Sequence, residues 1–279
     1  MTILGELIEY SKNCINGEII SCEKHKWACE RFLKDLENKK FVWDEQEAER
    51  IVVFFSKLNH SKGVLARTTI ILTTWQKFIL CQIYGWKMAE TGLRRFTRSF
   101  VEVARKNAKS QMEAGVSLYE MLIKASQTGE IRETYCAGVK RDQSALIFNE
   151  AKNMLTGSPL MSYFKVTRDR ITAKNTNSFL VPLNKQDGKT GDGTNPALLI
   201  IDEYHQHPTT EFYDLGLGAN AKESLIMIIT TAGVDLNFPC YTQEYKYCSE
   251  ILDPNFETEN ESYFIDILEI DKEDDVNNK

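Results

Sequence analysis

Hydrophobic positions change their period along this chain, and each change marks an element. In the first sixty residues the apolar side chains recur every three or four positions. Trp27, Cys29, Phe32, Leu33 and Leu36 share one face, and Ala48, Ile51, Val52, Val53, Phe54, Phe55 and Leu58 repeat the pattern. That period is helical, so residues 1–60 are expected to form a helical lead-in packed on a larger body. A further helix is expected within Ile70 to Trp86. From Phe100 the pattern becomes β-branched at Val101 and Val103, turns polar, and resumes at helical spacing through Met112, Ala114, Val116, Leu118 and Tyr119. This reads as strand, tight turn and helix, the helix running to about Ala125.

Thr134 to Gly138 reads as a short buried strand, and Arg141 to Leu155 as a helix with Ala145, Phe148, Ala151 and Leu155 inward. Ile171 to Leu183 alternates like one or two strands, and Ser224 to Ile229 reads as another. Ala197-Leu-Leu-Ile-Ile201 is an uninterrupted apolar run, as in a strand covered on both faces. Buried strands alternating with amphipathic helices predict an α/β fold with a mostly parallel central sheet flanked by helices. Between them, Gln186 to Gly193 is too glycine-rich for regular structure and is expected to be mobile. The expected organisation is a lead-in over 1–60, a core over 61–270 and an acidic linker over 271–279.

Composition narrows the function classes. With 42% hydrophobic and 27% charged residues over 279 positions, the chain can bury a large core and is not of disordered composition. The formal net charge of −6 provides no global basic field for nucleic acid, although a local patch such as Arg94, Arg95 and Arg98 reads either as a phosphate-contacting surface or as a solvated face. No apolar run approaches the roughly 18 residues of a membrane helix, so no membrane partner is expected. Seven scattered cysteines point to free thiols in a reducing compartment. Cys22, His25 and Cys29 form a possible zinc set, but it lacks a C-x-x-C pair and a fourth ligand.

Three stretches carry chemistry. The first is Val103-Ala-Arg-Lys-Asn-Ala-Lys-Ser110, at a strand-to-helix turn. Successive backbone N–H groups of Arg105, Lys106, Asn107, Ala108 and Gln111, opening into a helix N-terminus, suit a phosphate chain. Lys109 adds a point charge, and the Ser110 hydroxyl suits Mg²⁺. Ala108 stands where the usual phosphate loop has glycine, so either its φ is negative or the loop is strained. A basic first helical turn facing solvent is the plain alternative. The second stretch is Asp202-Glu203, at the end of the apolar strand. There Asp202 can share the Mg²⁺ shell while Glu203 polarises water attacking a γ-phosphate. The third is Thr230-Thr-Ala-Gly233, where Thr230, Thr231 and Gly233 end another strand and can sense that phosphate. Upstream, Trp75 and Gln76 form a candidate adenine clasp or an ordinary core pair. His205 and His207 read as metal ligands or partly solvated surface.

These motifs, in order, resemble the N-terminal ATPase half of the large terminase subunit of tailed bacteriophages, from about Gly17 to Asp275. The segments similar to that family are Lys26 to Leu33, Leu72-Thr-Thr-Trp-Gln76, Val103 to Ser110, Ile200 to His205 and Ile229 to Gly233. The resemblance implies a P-loop fold of the additional-strand, catalytic-glutamate type. It also implies ATP and Mg²⁺ as cofactors, hydrolysis assigned to Glu203, and a coupling role for Thr230 to Gly233. A neighbour's arginine is expected to complete the site. Arg141 is the candidate for it, and Arg105 acting in cis is the alternative. The implied partners are double-stranded DNA, a portal protein and a small terminase subunit. The implied setting is the host cytoplasm, in a homo-oligomeric ring docked on a procapsid, the isolated domain being monomeric. No nuclease activity is expected, because the chain ends before clustered metal-binding acids appear. The alternatives are a helicase-like P-loop ATPase and a nucleotide-binding module with little hydrolysis.

Overall fold

The computed structural model describes residues 1–184 and 193–274, with the side chains of Arg141 and Asn184 outside that description. Residues 186–192 of the glycine-rich stretch and 275–279 of the acidic end therefore lie outside the described residues. The lead-in contains helices α1 (Ile3–Ile15) and α2 (Glu23–Asp35), strand β1 (Phe41–Trp43) and helix α3 (Glu45–Phe55). Helix α4 (Thr74–Gly85) and strand β2 (Trp86–Met88) follow, then strand β3 (Arg98–Glu102) and helix α5 (Lys109–Tyr119). A π-helical turn, Glu120–Lys124, joins α5 to α6 (Ala125–Thr128). Then come β4 (Glu133–Gly138), α7 (Arg141–Leu155), β5 (Phe164–Val166), β6 (Ile171–Ala173) and β7 (Phe179–Asn184). The described chain ends with β8 (Pro196–Asp202), α8 (Glu211–Leu217), β9 (Leu225–Thr230), α9 (Lys246–Leu252) and β10 (Tyr263–Ile267).

The main sheet runs β10-β3-β9-β8-β4-β7-β6-β5. Its first six strands pair in parallel, and only β6 and β5 are antiparallel. Strands β3, β8, β9 and β10 are buried almost without interruption, because helices cover both faces. One apolar cluster runs from the lead-in to the sheet, through Leu7, Phe32, Phe55, Phe78, Phe100, Ile228 and Phe264. The lead-in is not wholly helical, since β1 pairs antiparallel with β2. Three residues are too few to show a period.

Arg94 and Arg95 form neither a phosphate-contacting surface nor a solvated face, because both are buried. Arg94 and Arg132 are buried on either side of Glu120, at 2.7 and 2.6 Å. Arg95 pairs with Asp35 at 2.7 Å and lies over the Phe41 ring, while Arg98 donates to the Tyr213 hydroxyl. The buried guanidiniums of Arg94, Arg95 and Arg132 hold the fold together and are not free to meet a phosphate backbone, whereas Arg98 is half-buried. Helix α5 reaches the core closely because Gly115 has no side chain: a Cβ there would lie 2.2 Å from the Phe55 ring.

Candidate active site

All three chemical stretches leave the same edge of the sheet. The phosphate-loop stretch follows β3, the acid pair ends β8, and Thr230-Thr231 end β9, which lies between those two strands. Register places Glu102 opposite Thr230 and Asp202 opposite Ile229, so the three ends are level. Parallel strands bring their carboxyl ends together, and that edge is where open α/β sheets bind ligands.

The loop from Ala104 to Ala108 is exposed, whereas Lys109 is buried at the start of α5. Lys106 and Ala108 both have positive φ, at 72° and 55°, so the loop does carry the strain that a glycine would avoid. Asn107 closes the turn by donating from Nδ2 to the Ala104 carbonyl at 2.9 Å. Gln111 contacts His60 Nδ1 through Nε2 at 3.1 Å.

Lys109 Nζ lies 3.6 Å from Glu203 Oε1. The other Glu203 oxygen accepts from the Thr231 hydroxyl at 3.0 Å and backbone N–H at 3.3 Å, and lies 3.2 Å from His205 Nδ1. Glu203 itself has φ 51°, a left-handed conformation that turns its carboxylate back across the strand ends. Asp202 is buried with Oδ1 lacking any protein hydrogen-bond partner, and burial, followed by the Glu203 charge, pushes its carboxyl up to about 6. The orphaned carboxylate oxygen fits a hydrated cation, while the nearby lysine and helix N-terminus suit the anionic phosphates that would accompany it.

Sequence patterning missed one residue here. Glu113, one turn after Lys109, is fully buried with both oxygens lacking protein partners. Burial first and the Asp202 charge second hold its carboxyl well above the usual range. The only signal was an acid among inward apolar positions of a helix. His205 and His207, read as surface or metal ligands, are instead buried. The His205 ring meets Thr230 Oγ1 at 2.9 Å and fills the space beside Gly233, where a Cβ would come within 2.8 Å of the ring. The Gly233 N–H is held by the Tyr241 hydroxyl.

Trp75 and Gln76 are not joined to this cluster by any contact among the described residues. The Trp75 indole N–H donates to Asp266 Oδ2 at 2.8 Å. Gln76 forms a capping box with Thr73, its Oε1 accepting the Thr73 N–H at 3.0 Å. The cap takes one of the two Oε1 lone pairs and leaves Nε2, so Gln76 keeps both an acceptor and a donor for a base. Burial holds the His205 ring below its usual range, against the Glu203 charge, and Arg105 sits close enough for its charge to add to that lowering. The backbone of Arg141 opens α7 on the same sheet edge, immediately beyond β4; its side chain lies outside the described residues.

A strand inserted between the phosphate-loop strand and the acid-bearing strand, with Lys109, Asp202 and Glu203 gathered at their ends, defines an additional-strand P-loop fold. The family model for the terminase large subunit, ATPase domain, matches residues 74–250, and the chain belongs to that family. It is 26% identical over 199 residues to the terminase large subunit of Enterobacteria phage HK97, covering 67% of this chain and 37% of that protein. It is 32% identical over 96 residues to Protein YmfN of Escherichia coli (strain K12), covering 33% of this chain and 20% of that protein. The crystal structure of the HK97 bacteriophage large terminase superposes with a TM-score of 0.66 at 20% identity, over 82% of this chain and 45% of that one. The chain thus spans less than half the length of these relatives.

Proposed function

We propose that this chain hydrolyses ATP and drives double-stranded DNA into a procapsid. The observation that carries the reading is the meeting of Lys109, Glu203 and Thr231 at the ends of three adjacent strands. Backbone N–H groups from Arg105 to Gln111 bind the phosphates, and Lys109 exchanges its Glu203 partner for them. Ser110 and Asp202 hold Mg²⁺, which when bound neutralises charge on the β- and γ-phosphates. Glu203, released from Lys109, accepts a proton from the attacking water. Thr230, Thr231 and Gly233 register the state of the γ-phosphate. Arg141 of a neighbouring copy stabilises transition-state charge, with Arg105 of the same chain as its alternative. Trp75 contributes to the adenine end through its ring, and Gln76 through its amide.

The partners are DNA, a portal protein and a small terminase subunit, in a ring docked on the procapsid in the host cytoplasm. The isolated chain is monomeric and turns over slowly, since it lacks the neighbour's arginine. The proposal assigns no nuclease chemistry to these residues. Phosphate release measured for the native chain, Lys109→Ala and Glu203→Gln, with DNA and at high protein concentration, tests it. Both variants are expected to lose about 100-fold or more in turnover. Native turnover that neither substitution changes overturns the site. Tight nucleotide binding with no turnover under any assembled condition establishes a binding module instead.

A further inference from the structure

The junction between the lead-in and the sheet holds a second cluster of chemically capable side chains, away from the acid pair. Cys14 lies at the end of α1, and His25 and Cys29, four residues apart, share one face of α2. Their ligand atoms all lie within 4.8 Å of one another, and all three residues are buried. We propose that Cys14, His25 and Cys29 bind a structural zinc ion that fastens the first two helices to strand β10.

One edge of the set already has nearly the length that zinc imposes, and the others lie within 4.8 Å. Cys29 Sγ is 3.7 Å from His25 Nε2. Tetrahedral zinc with Zn–S of about 2.3 Å and Zn–N of about 2.0 Å has an S···N edge of about 3.5 Å. The imidazole is also oriented as a ligand requires. His25 Nδ1 donates to Asp266 Oδ1 at 2.6 Å, and the other Asp266 oxygen is held by the Trp75 indole N–H. Nδ1 is therefore the protonated nitrogen and Nε2 is the one turned to the thiols. A carboxylate behind a metal-binding histidine is the usual outer partner at such sites, and it explains why Asp266 is buried in an edge strand.

Tyr10 Oη, 2.9 Å from the same Nε2, is the atom placed to close the fourth position. Cys14, His25 and Cys29 are buried and Tyr10 is half-buried, which suits a structural ion and not an open catalytic one. It differs from the set suggested by spacing: Cys22 points elsewhere, its thiol donating to the Ile267 carbonyl at 3.2 Å. Cys14 takes its place because α1 folds back along α2, a tertiary contact that spacing does not reveal.

The test uses the reduced full chain, loaded with Zn²⁺ and dialysed against a weak chelator, with metal content read by mass spectrometry. About one zinc per chain is expected. Cys14→Ser/Cys29→Ser should bind at least about 100-fold more weakly, Asp266→Asn about 10- to 100-fold more weakly, and Cys22→Ser equally well. Since the double variant can misfold, alkylation of the native chain is mapped by peptide with and without Zn²⁺: the ion should slow modification of Cys14 and Cys29 and leave Cys22 unchanged. A reduced native chain that retains no zinc overturns the proposal. Binding that survives loss of both cysteines does so too, as does protection of Cys22 in place of Cys14.

Discussion

Replacing Ala108 by glycine should stabilise the nucleotide-free chain. Ala108 adopts φ 55° and ψ 29° at the start of α5. A left-handed alanine costs about 1–2 kcal/mol through the clash of its Cβ with the backbone. Its methyl group is exposed, so little buried area is lost with it. Its carbonyl accepts the N–H groups of Gln111 and Met112, both at 3.1 Å, and glycine keeps both bonds. Against the relieved clash stands the greater freedom of glycine in the unfolded chain, about 0.5–1 kcal/mol. The difference favours Ala108→Gly by about 0.5–1 kcal/mol, equivalent to a melting temperature about 1–4 °C higher. Urea melts with linear extrapolation and thermal melts, both without nucleotide, measure it. Ala108→Val, which adds a β-branch in the same conformation, should fall below wild type. If Ala108→Gly is no more stable, or is less so, the residue does not hold a left-handed conformation in solution and the strain argument fails.

Asp202 yields a prediction in pH. Its folded-state carboxyl is raised to about 6, so its contribution to stability is complete below the ordinary carboxylate range and is lost as pH rises through about 6. Asp202→Asn should therefore be more stable than wild type at pH about 7.5 by up to about 3 kcal/mol, with little difference at pH about 4, while hydrolysis disappears; denaturant melts at the two pH values with an equal offset refute it. Glu120→Ala leaves Arg94 and Arg132 buried without their shared carboxylate and should cost about 3–5 kcal/mol, whereas a loss under about 1 kcal/mol would show that the two guanidiniums find other partners. Gly115→Ala drives a methyl into the Phe55 ring and should cost about 1–3 kcal/mol, partly recovered by Phe55→Leu; a neutral result means α5 sits further from α3 than described.

What the chain revealed in advance follows the range of the interactions involved. Periodicity located β4, α7, β8 and β9 to within a residue or two, because a strand buried on both faces or a helix with one apolar face writes its pattern locally. The motif order likewise placed the lysine corner and the paired acids at one site. Charged side chains were misread wherever the partner is remote in sequence. Arg94 meets Glu120 26 residues on, and Arg95 meets Asp35 60 residues back. An arginine reads as surface until its carboxylate is found. The same holds for His205, whose burial depends on Gly233, and for Cys14, whose neighbours depend on the packing of α1 on α2. Gln76 carries a local role that the sequence also encodes, since T-x-x-Q is a helix cap.

If Glu203 is the hydrolytic base proposed above, its partners put hydrolysis and a mechanical consequence on one side chain. One oxygen faces Lys109, and the other holds the hydroxyl and backbone N–H of Thr231. A phosphate competing for Lys109 removes the first partner and leaves the second, so the charge of Glu203 then bears on the end of β9. From there the chain passes through Gly233, whose N–H is bound by Tyr241, into the π-helical turn Cys240–Tyr245. Tyr245 in turn shares Glu269 with Lys24 of α2, which links this path to the lead-in. Helical segments interrupted by π-turns occur often at functional sites, where an extra residue per turn lets a helix re-register at small cost. A change of partner at Glu203 therefore has a contiguous, packed route from the phosphate edge to the helices on the far side of β10. A sheet with β3 and β8 directly paired would lack it, because no strand would run between lysine and acids to carry the movement away.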